Sequence, residues 1–132
     1  IIHQRFDEIC GRIAALTRTL TYNDFYWTNL VVARDKSSAM MLDFNLLGKG
    51  YAYGDIRNVI SSLSTEAADA FLREYGDDFN VEEEKLADRF LAPLVNLVSA
   101  CELNNFPEWA EPSLEELKNG TILNSLIQWL DG

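Results

Sequence analysis

Histidine is nearly missing from this chain: of 132 residues only His3 carries an imidazole. That ring lies near the terminus, so a Ser-His-Asp relay and a His-based zinc site are effectively excluded. Cysteine is almost as scarce. Cys10 and Cys101 stand alone, with no C-x-x-C and no Cys/His cluster, which reads as free buried thiols of a cytoplasmic protein. Basic residues are few, 11 against 21 acidic ones, for a net charge of −10 and a pI near 4.4. Nucleic acid as a partner is thereby disfavoured, because phosphate backbones demand Lys and Arg. No apolar run approaches the roughly 20 residues of a membrane-spanning helix, and no signal-peptide pattern precedes the first periodic stretch, so no membrane is expected. Neither G-x-x-x-x-G-K-[ST] nor G-x-G-x-x-G occurs, and there is no repeat or low-complexity tract.

What is present suffices for one domain over residues 1–132, since 48% of the chain is apolar. Ile2, Phe6, Ile9, Ile13, Leu16 and Leu20 recur at helical spacing and predict an amphipathic helix ending near Arg18-Thr19. Further helices are expected over Asp55 to Leu63, with Ile56, Val59, Ile60 and Leu63 inward and Asp55 as cap. Another is expected from Ser64-Thr65-Glu66, with Phe71, Leu72 and Tyr75 buried and Gly76 as its stop. Asn80-Val81-Glu82-Glu83 and Ser113-Leu114-Glu115-Glu116 have the form of capping boxes. The helix begun at Asn80 is interrupted by Pro93, predicting a kink or two pieces. Asn119-Gly120 is set to stop the short helix after Ser113, and Thr121 to cap a last one that buries Ile122, Leu123, Leu126, Ile127 and Leu130. The stretch from Leu46 to Gly54 holds Gly48, Gly50 and Gly54 and reads as a loop.

Chemistry concentrates between residues 22 and 44. The runs Leu30-Val31-Val32 and Met40-Met41-Leu42 flank the turn-like Arg34-Asp35-Lys36-Ser37-Ser38, predicting a β-hairpin. Asn29 precedes the first strand and Asp43 ends the second, so the hairpin sets them at adjacent strand ends, with Asp24 five residues before Asn29. Singly, each residue has a structural explanation as a turn, a cap or a strand end. Jointly they form the set that phosphoryl transfer requires: one Asp to orient or deprotonate a hydroxyl, and an Asn and an Asp to hold magnesium on nucleotide phosphates.

Asn23-Asp24-x-x-x-x-Asn29, then Leu42-Asp43-Phe44, then Tyr53-Gly54-Asp55-Ile56-Arg57-Asn58, resembles the aminoglycoside phosphotransferase and choline kinase superfamily. The motifs cover residues 20–63. The resemblance implies a mainly α fold with a small β-hairpin, the carboxy-terminal lobe of a protein-kinase-like enzyme. It implies Asp24 as the catalytic residue, Asn29 and Asp43 as magnesium ligands, and Val31 and Leu42 as the floor of an ATP adenine pocket. Asp55 would brace the catalytic loop through backbone hydrogen bonds. Tyr22 stands where the family carries His, and would fill that residue's supporting place. The family's amino-terminal lobe supplies a nucleotide-clamping Lys and a phosphate-covering loop. Neither is recognisable in a chain that starts Ile1-Ile2, so a missing lobe is expected as a partner, and the isolated chain is expected to be inactive. Apolar surface left exposed would allow a homodimer. The acceptor implied is a small cationic molecule, an aminoglycoside-like amine-bearing alcohol. Choline or ethanolamine is the alternative if several of Tyr26, Trp27, Tyr51, Tyr53 and Trp109 form an aromatic cage. A non-catalytic kinase-like interaction module and a plain helical adaptor are the non-enzymatic alternatives.

Overall fold

The computed structural model describes residues 2–75 and 81–132. The elements run α1 (Phe6–Ala15), β1 (Thr19–Thr21), β2 (Leu30–Val32), β3 (Ala39–Met41), β4 (Gly48–Gly50), α2 (Ala52–Ser62), α3 (Thr65–Tyr75), α4 (Val81–Cys101), α5 (Glu111–Lys118) and α6 (Thr121–Asp131). Short 3-10 turns precede α1, β2 and α5. The chain is thus mainly helical, with two small antiparallel sheets, β1 with β4 and β2 with β3. It divides into two compact units, residues 16–81 and residues 1–15 with 82–132. Among the described residues no helix is long and apolar enough to cross a membrane.

The helical unit is organised by α4 and α6. Ala87, Phe90, Pro93, Leu97 and Ala100 form the buried stripe of α4, and Ile122, Leu126, Trp129 and Leu130 that of α6. The Phe90 and Trp129 rings meet at 5.2 Å between centroids. The Arg12 guanidinium of α1 covers the Trp129 ring at 4.4 Å and donates to the Leu130 carbonyl at 2.9 Å. Stacking on an indole while bonding a helix-end carbonyl suits a planar cation. Pro93 sits inside one continuous helix rather than between two pieces.

Several sequence expectations are corrected. The first helix ends at Ala15, and Leu20 lies in β1 with its side chain exposed. Ile2 and Phe6 are also exposed, so the buried stripe is shorter than the spacing suggests. Gly48–Gly50 is a strand rather than a loop, because its register opposite Thr19–Thr21 satisfies its backbone. The helix expected from Asp55 begins at Ala52, with Tyr51 as N-cap, and Ile60 faces outward. Leu72 is exposed as well, as is Leu123. The second capping box fails: α5 starts at Glu111, and Ser113 is a buried interior residue whose hydroxyl accepts from Asn96 at 3.3 Å. Thr121 is the first residue of α6, after Gly120 in the left-handed conformation at φ 83°. Cys10 and Cys101 are both exposed, not buried. Gly76 and Asn80, proposed as a helix stop and a cap, lie outside the described residues.

Candidate functional site

The unit of residues 16–81 is built around a hairpin and a helix. Leu30 pairs with Met41, Val31 with Met40 and Val32 with Ala39. The turn closes through Ala33 N–H to Ser38 O at 2.9 Å. Asp35 caps it by accepting from the Ser37 N–H at 3.1 Å and the Ser37 hydroxyl at 2.7 Å. Those bonds hold the Asp35 carboxyl below its usual range. Pairing continues one step past the strands, where the Leu42 N–H donates to the Asn29 carbonyl at 2.8 Å. Asp43 follows at once, in the left-handed region at φ 57°.

The segment before the hairpin is fixed from helix α2. Asp55, Asn58 and Ser62 fall on one helical stripe by spacing. The Asp55 carboxylate accepts the Tyr22 N–H at 3.0 Å and the Asn23 N–H at 2.7 Å. It also accepts the Tyr75 hydroxyl at 3.0 Å. Asn58 donates to the Asn23 carbonyl at 3.1 Å and accepts from the Tyr26 hydroxyl at 3.3 Å. The Ser62 hydroxyl accepts the Trp27 N–H at 2.7 Å. Asp55 therefore is no helix cap: its carboxylate serves another segment, as a buried charge with three donors can.

This pinned segment presents Asp24. The Asn29 side-chain amide donates to the Asp24 carboxylate at 2.6 Å and to the Asp24 carbonyl at 3.1 Å. Spending its Nδ2 on Asp24 leaves the Asn29 side-chain oxygen, Oδ1, as the end available to a cation. Asp24 and Asn29 are half-buried, and Asp43 is exposed. No hydrogen bond joins Asp43 to either; its carboxylate takes a long contact of 3.4 Å from the Asn45 N–H. The two acidic positions instead share Tyr22. That phenol is buried, and its hydroxyl donates to the Leu42 carbonyl next to Asp43. Burial first, then the charges of Asp24 and of Asp43, push the Tyr22 hydroxyl above its ordinary value. The Tyr22 ring packs edge-on to Phe25 at 5.0 Å and to Phe44 at 5.7 Å.

Val31 and Leu42 fall on one face of the hairpin with Met40, since Val31 and Met40 are paired and Leu42 is two residues further. All three are exposed. Tyr26 and Trp27 are exposed beside the Asp24 segment, Tyr51 receives Arg18 at 5.9 Å, and Trp109 belongs to the helical unit. Among the described residues no group of three or more His, Cys, Asp or Glu could hold a metal ion. Asp24, Asn29 and Asp43 offer two carboxylates and one amide, hard oxygen donors of the kind magnesium takes when phosphates and water complete its shell.

Sequence reasoning quoted Asn58 within a motif and read Tyr75 as a core residue, but gave neither of them nor Ser62 a part in holding the site. A signal existed for two of them: polar side chains at positions 55, 58 and 62 keep helical spacing on a helix whose Ile56 and Val59 are buried. Comparison with protein-family models, curated proteins and solved structures gave no match.

Proposed function

We propose that residues 16–81 carry the phosphoryl-transfer site of an ATP-dependent small-molecule phosphotransferase, in a kinase-like carboxy-terminal lobe. The observation that carries this reading is the Asp24–Asn29 contact, made where the hairpin register delivers Asp43 one residue beyond the Leu42–Asn29 bond. Asp24 accepts the proton of the attacking hydroxyl, and the Asn29 amide holds its carboxylate in one orientation. Asn29 and Asp43 are the residues that would hold magnesium. A bound magnesium ion would neutralise charge on the nucleotide phosphates. The exposed Val31, Met40 and Leu42 face offers an apolar surface to the adenine. Tyr22 fills the place where the resembled family carries His, and links the Asp24 segment to the strand before Asp43.

The acceptor on this reading is an amine-bearing alcohol, aminoglycoside-like, suited to a chain of net charge −10. In the resembled family an amino-terminal lobe supplies a lysine on the γ-phosphoryl group and the second wall of the cleft. The proposal includes that partner, with a second copy as the alternative cover of the apolar hairpin face. Calorimetry with ATP and magnesium tests the reading. Weak nucleotide binding that requires magnesium, persists in Asp24→Asn and is lost in Asn29→Ala and Asp43→Asn is the expected result. Binding indifferent to magnesium, or to both of the latter substitutions, would refute it.

A further inference from the structure

Asn58 is buried on the inner side of α2, at 3% exposure, where an apolar residue would cost less to desolvate. Its bonds go almost entirely to the segment that carries Asp24. The amide donates to the Asn23 carbonyl at 3.1 Å and accepts from the Tyr26 hydroxyl at 3.3 Å, with one longer contact, 3.5 Å, from its neighbour Arg57. Asn23 stands in the left-handed region at φ 63°, which asparagine tolerates better than most residues with a Cβ and which its surroundings hold in place. Those surroundings are specific. The Asn23 N–H is held by Asp55 and its carbonyl by Asn58, one helical turn apart, and its side-chain amide donates to the Leu46 carbonyl at 2.9 Å.

The Asn23 carbonyl belongs to the peptide plane that leads into Asp24. Rotation of that plane turns the Asp24 Cα–Cβ bond and with it the carboxylate. Asp55 does not govern this rotation, because it grips the preceding peptide. We propose that Asn58 is a positioning residue for Asp24: by holding the Asn23 carbonyl it aims the Asp24 side chain at the Asn29 amide. The consequence for catalysis rests on the phosphotransfer reading; the positioning itself does not.

Amide exchange and side-chain NMR on the full 132-residue chain test the proposal. Asn58→Asp keeps the size of the side chain and the acceptor for Tyr26 but removes the donor to Asn23. The Asn23 carbonyl carbon resonance should move upfield on losing its donor, while the Asn23 N–H, held by Asp55, keeps its protection. The Asn29 side-chain amide resonance should move to where Asp24→Asn places it. The Ile56 and Val59 amides should keep their protection, which a general loosening would not allow. Tyr26→Phe, which removes only the other bond, should move neither signal. If Asn58→Asp does not fold, Asn58→Ser, with a hydroxyl too short to reach the carbonyl, is read in the same way. Unchanged Asn23 carbonyl and Asn29 side-chain resonances would overturn the proposal, as would equal changes in Tyr26→Phe. Calorimetry keeps the two ideas apart: wild-type chain that ignores magnesium-nucleotide refutes phosphotransfer, while the Asn23 and Asn29 resonances still decide the role of Asn58. Where transfer is measurable, Asn58→Asp should lower kcat by up to about a hundredfold with the nucleotide KM held. A raised KM with kcat unchanged would count against positioning.

Discussion

Tyr22 is the residue at which both candidate acidic groups are felt at once. Burial is the larger reason its hydroxyl resists ionisation, and Asp24 and Asp43 add to it. The folded-state value lies above the ordinary 10.0, so Tyr22 contributes stability that is complete below pH 10.0 and lost as pH rises through the raised value. Tyrosinate absorbance followed with pH should show a late phase that Tyr22→Phe removes. Asp24→Asn or Asp43→Asn should advance that phase only part of the way, because burial remains; no advance in either would mean the carboxylates do not face the phenol. Gly50 makes a second prediction at this scale. A Cβ on Gly50 would lie 2.3 Å from the Thr21 hydroxyl oxygen and 3.0 Å from the Asn23 side-chain oxygen. Thr21 is buried and bonded to the Gly48 carbonyl, so it has little room to yield. Gly50→Ala should cost about 1–3 kcal/mol in denaturant unfolding. Adding Thr21→Ala should recover part of that loss, since the two sites share one volume.

At the scale of elements, α2 acts as a template for the segment before the hairpin. Asp55→Ala would strand the buried Tyr22 N–H, at about 1–3 kcal/mol, and the half-buried Asn23 N–H at somewhat less. Chemical denaturation should therefore show a loss of several kcal/mol, larger than for Ser62→Ala, which frees one exposed N–H. The hairpin was legible in the sequence because a polar turn cluster separates two short apolar runs, and Asp35 does the capping that such a cluster suggests. The last helix was legible too, since Ile122, Leu126 and Leu130 keep one face. The β1–β4 pairing was not. Leu20 continues the helical spacing of the residues before it, and its partner strand, Gly48–Gly50, carries two glycines and no apolar side chain. Only a backbone contact across the intervening residues makes either a strand, and local pattern holds no record of it. The mutual contact of Asp24 and Asn29 was half legible: their spacing suggested a shared task, but the left-handed turn at Asn23 that presents Asp24 depends on Asp55 and Asn58.

For the whole molecule the governing quantity is a net charge of −10. Such a chain attracts cations and repels polyanions at a distance, and both effects fade as salt shortens the screening length to about 8–10 Å near physiological strength. The two substrates of the proposed reaction carry opposite charge, so their salt dependences should differ in sign. An amine-bearing acceptor should bind several-fold more weakly when ionic strength rises from about 0.01 M to about 0.15 M, because the field that draws it in is screened. A neutral alcohol of the same shape should show little change. ATP without magnesium should bind poorly at low salt and somewhat better at higher salt, since screening relieves its repulsion. On the proposed reading magnesium should raise ATP affinity far more than salt does, because it would neutralise phosphate charge beside Asn29 and Asp43. Calorimetric titrations of the three ligands at two ionic strengths make the comparison. Equal salt dependence for the amine and its neutral analogue would show that charge does not select the acceptor. ATP that binds as well without magnesium as with it would remove the reason for two carboxylates at this site.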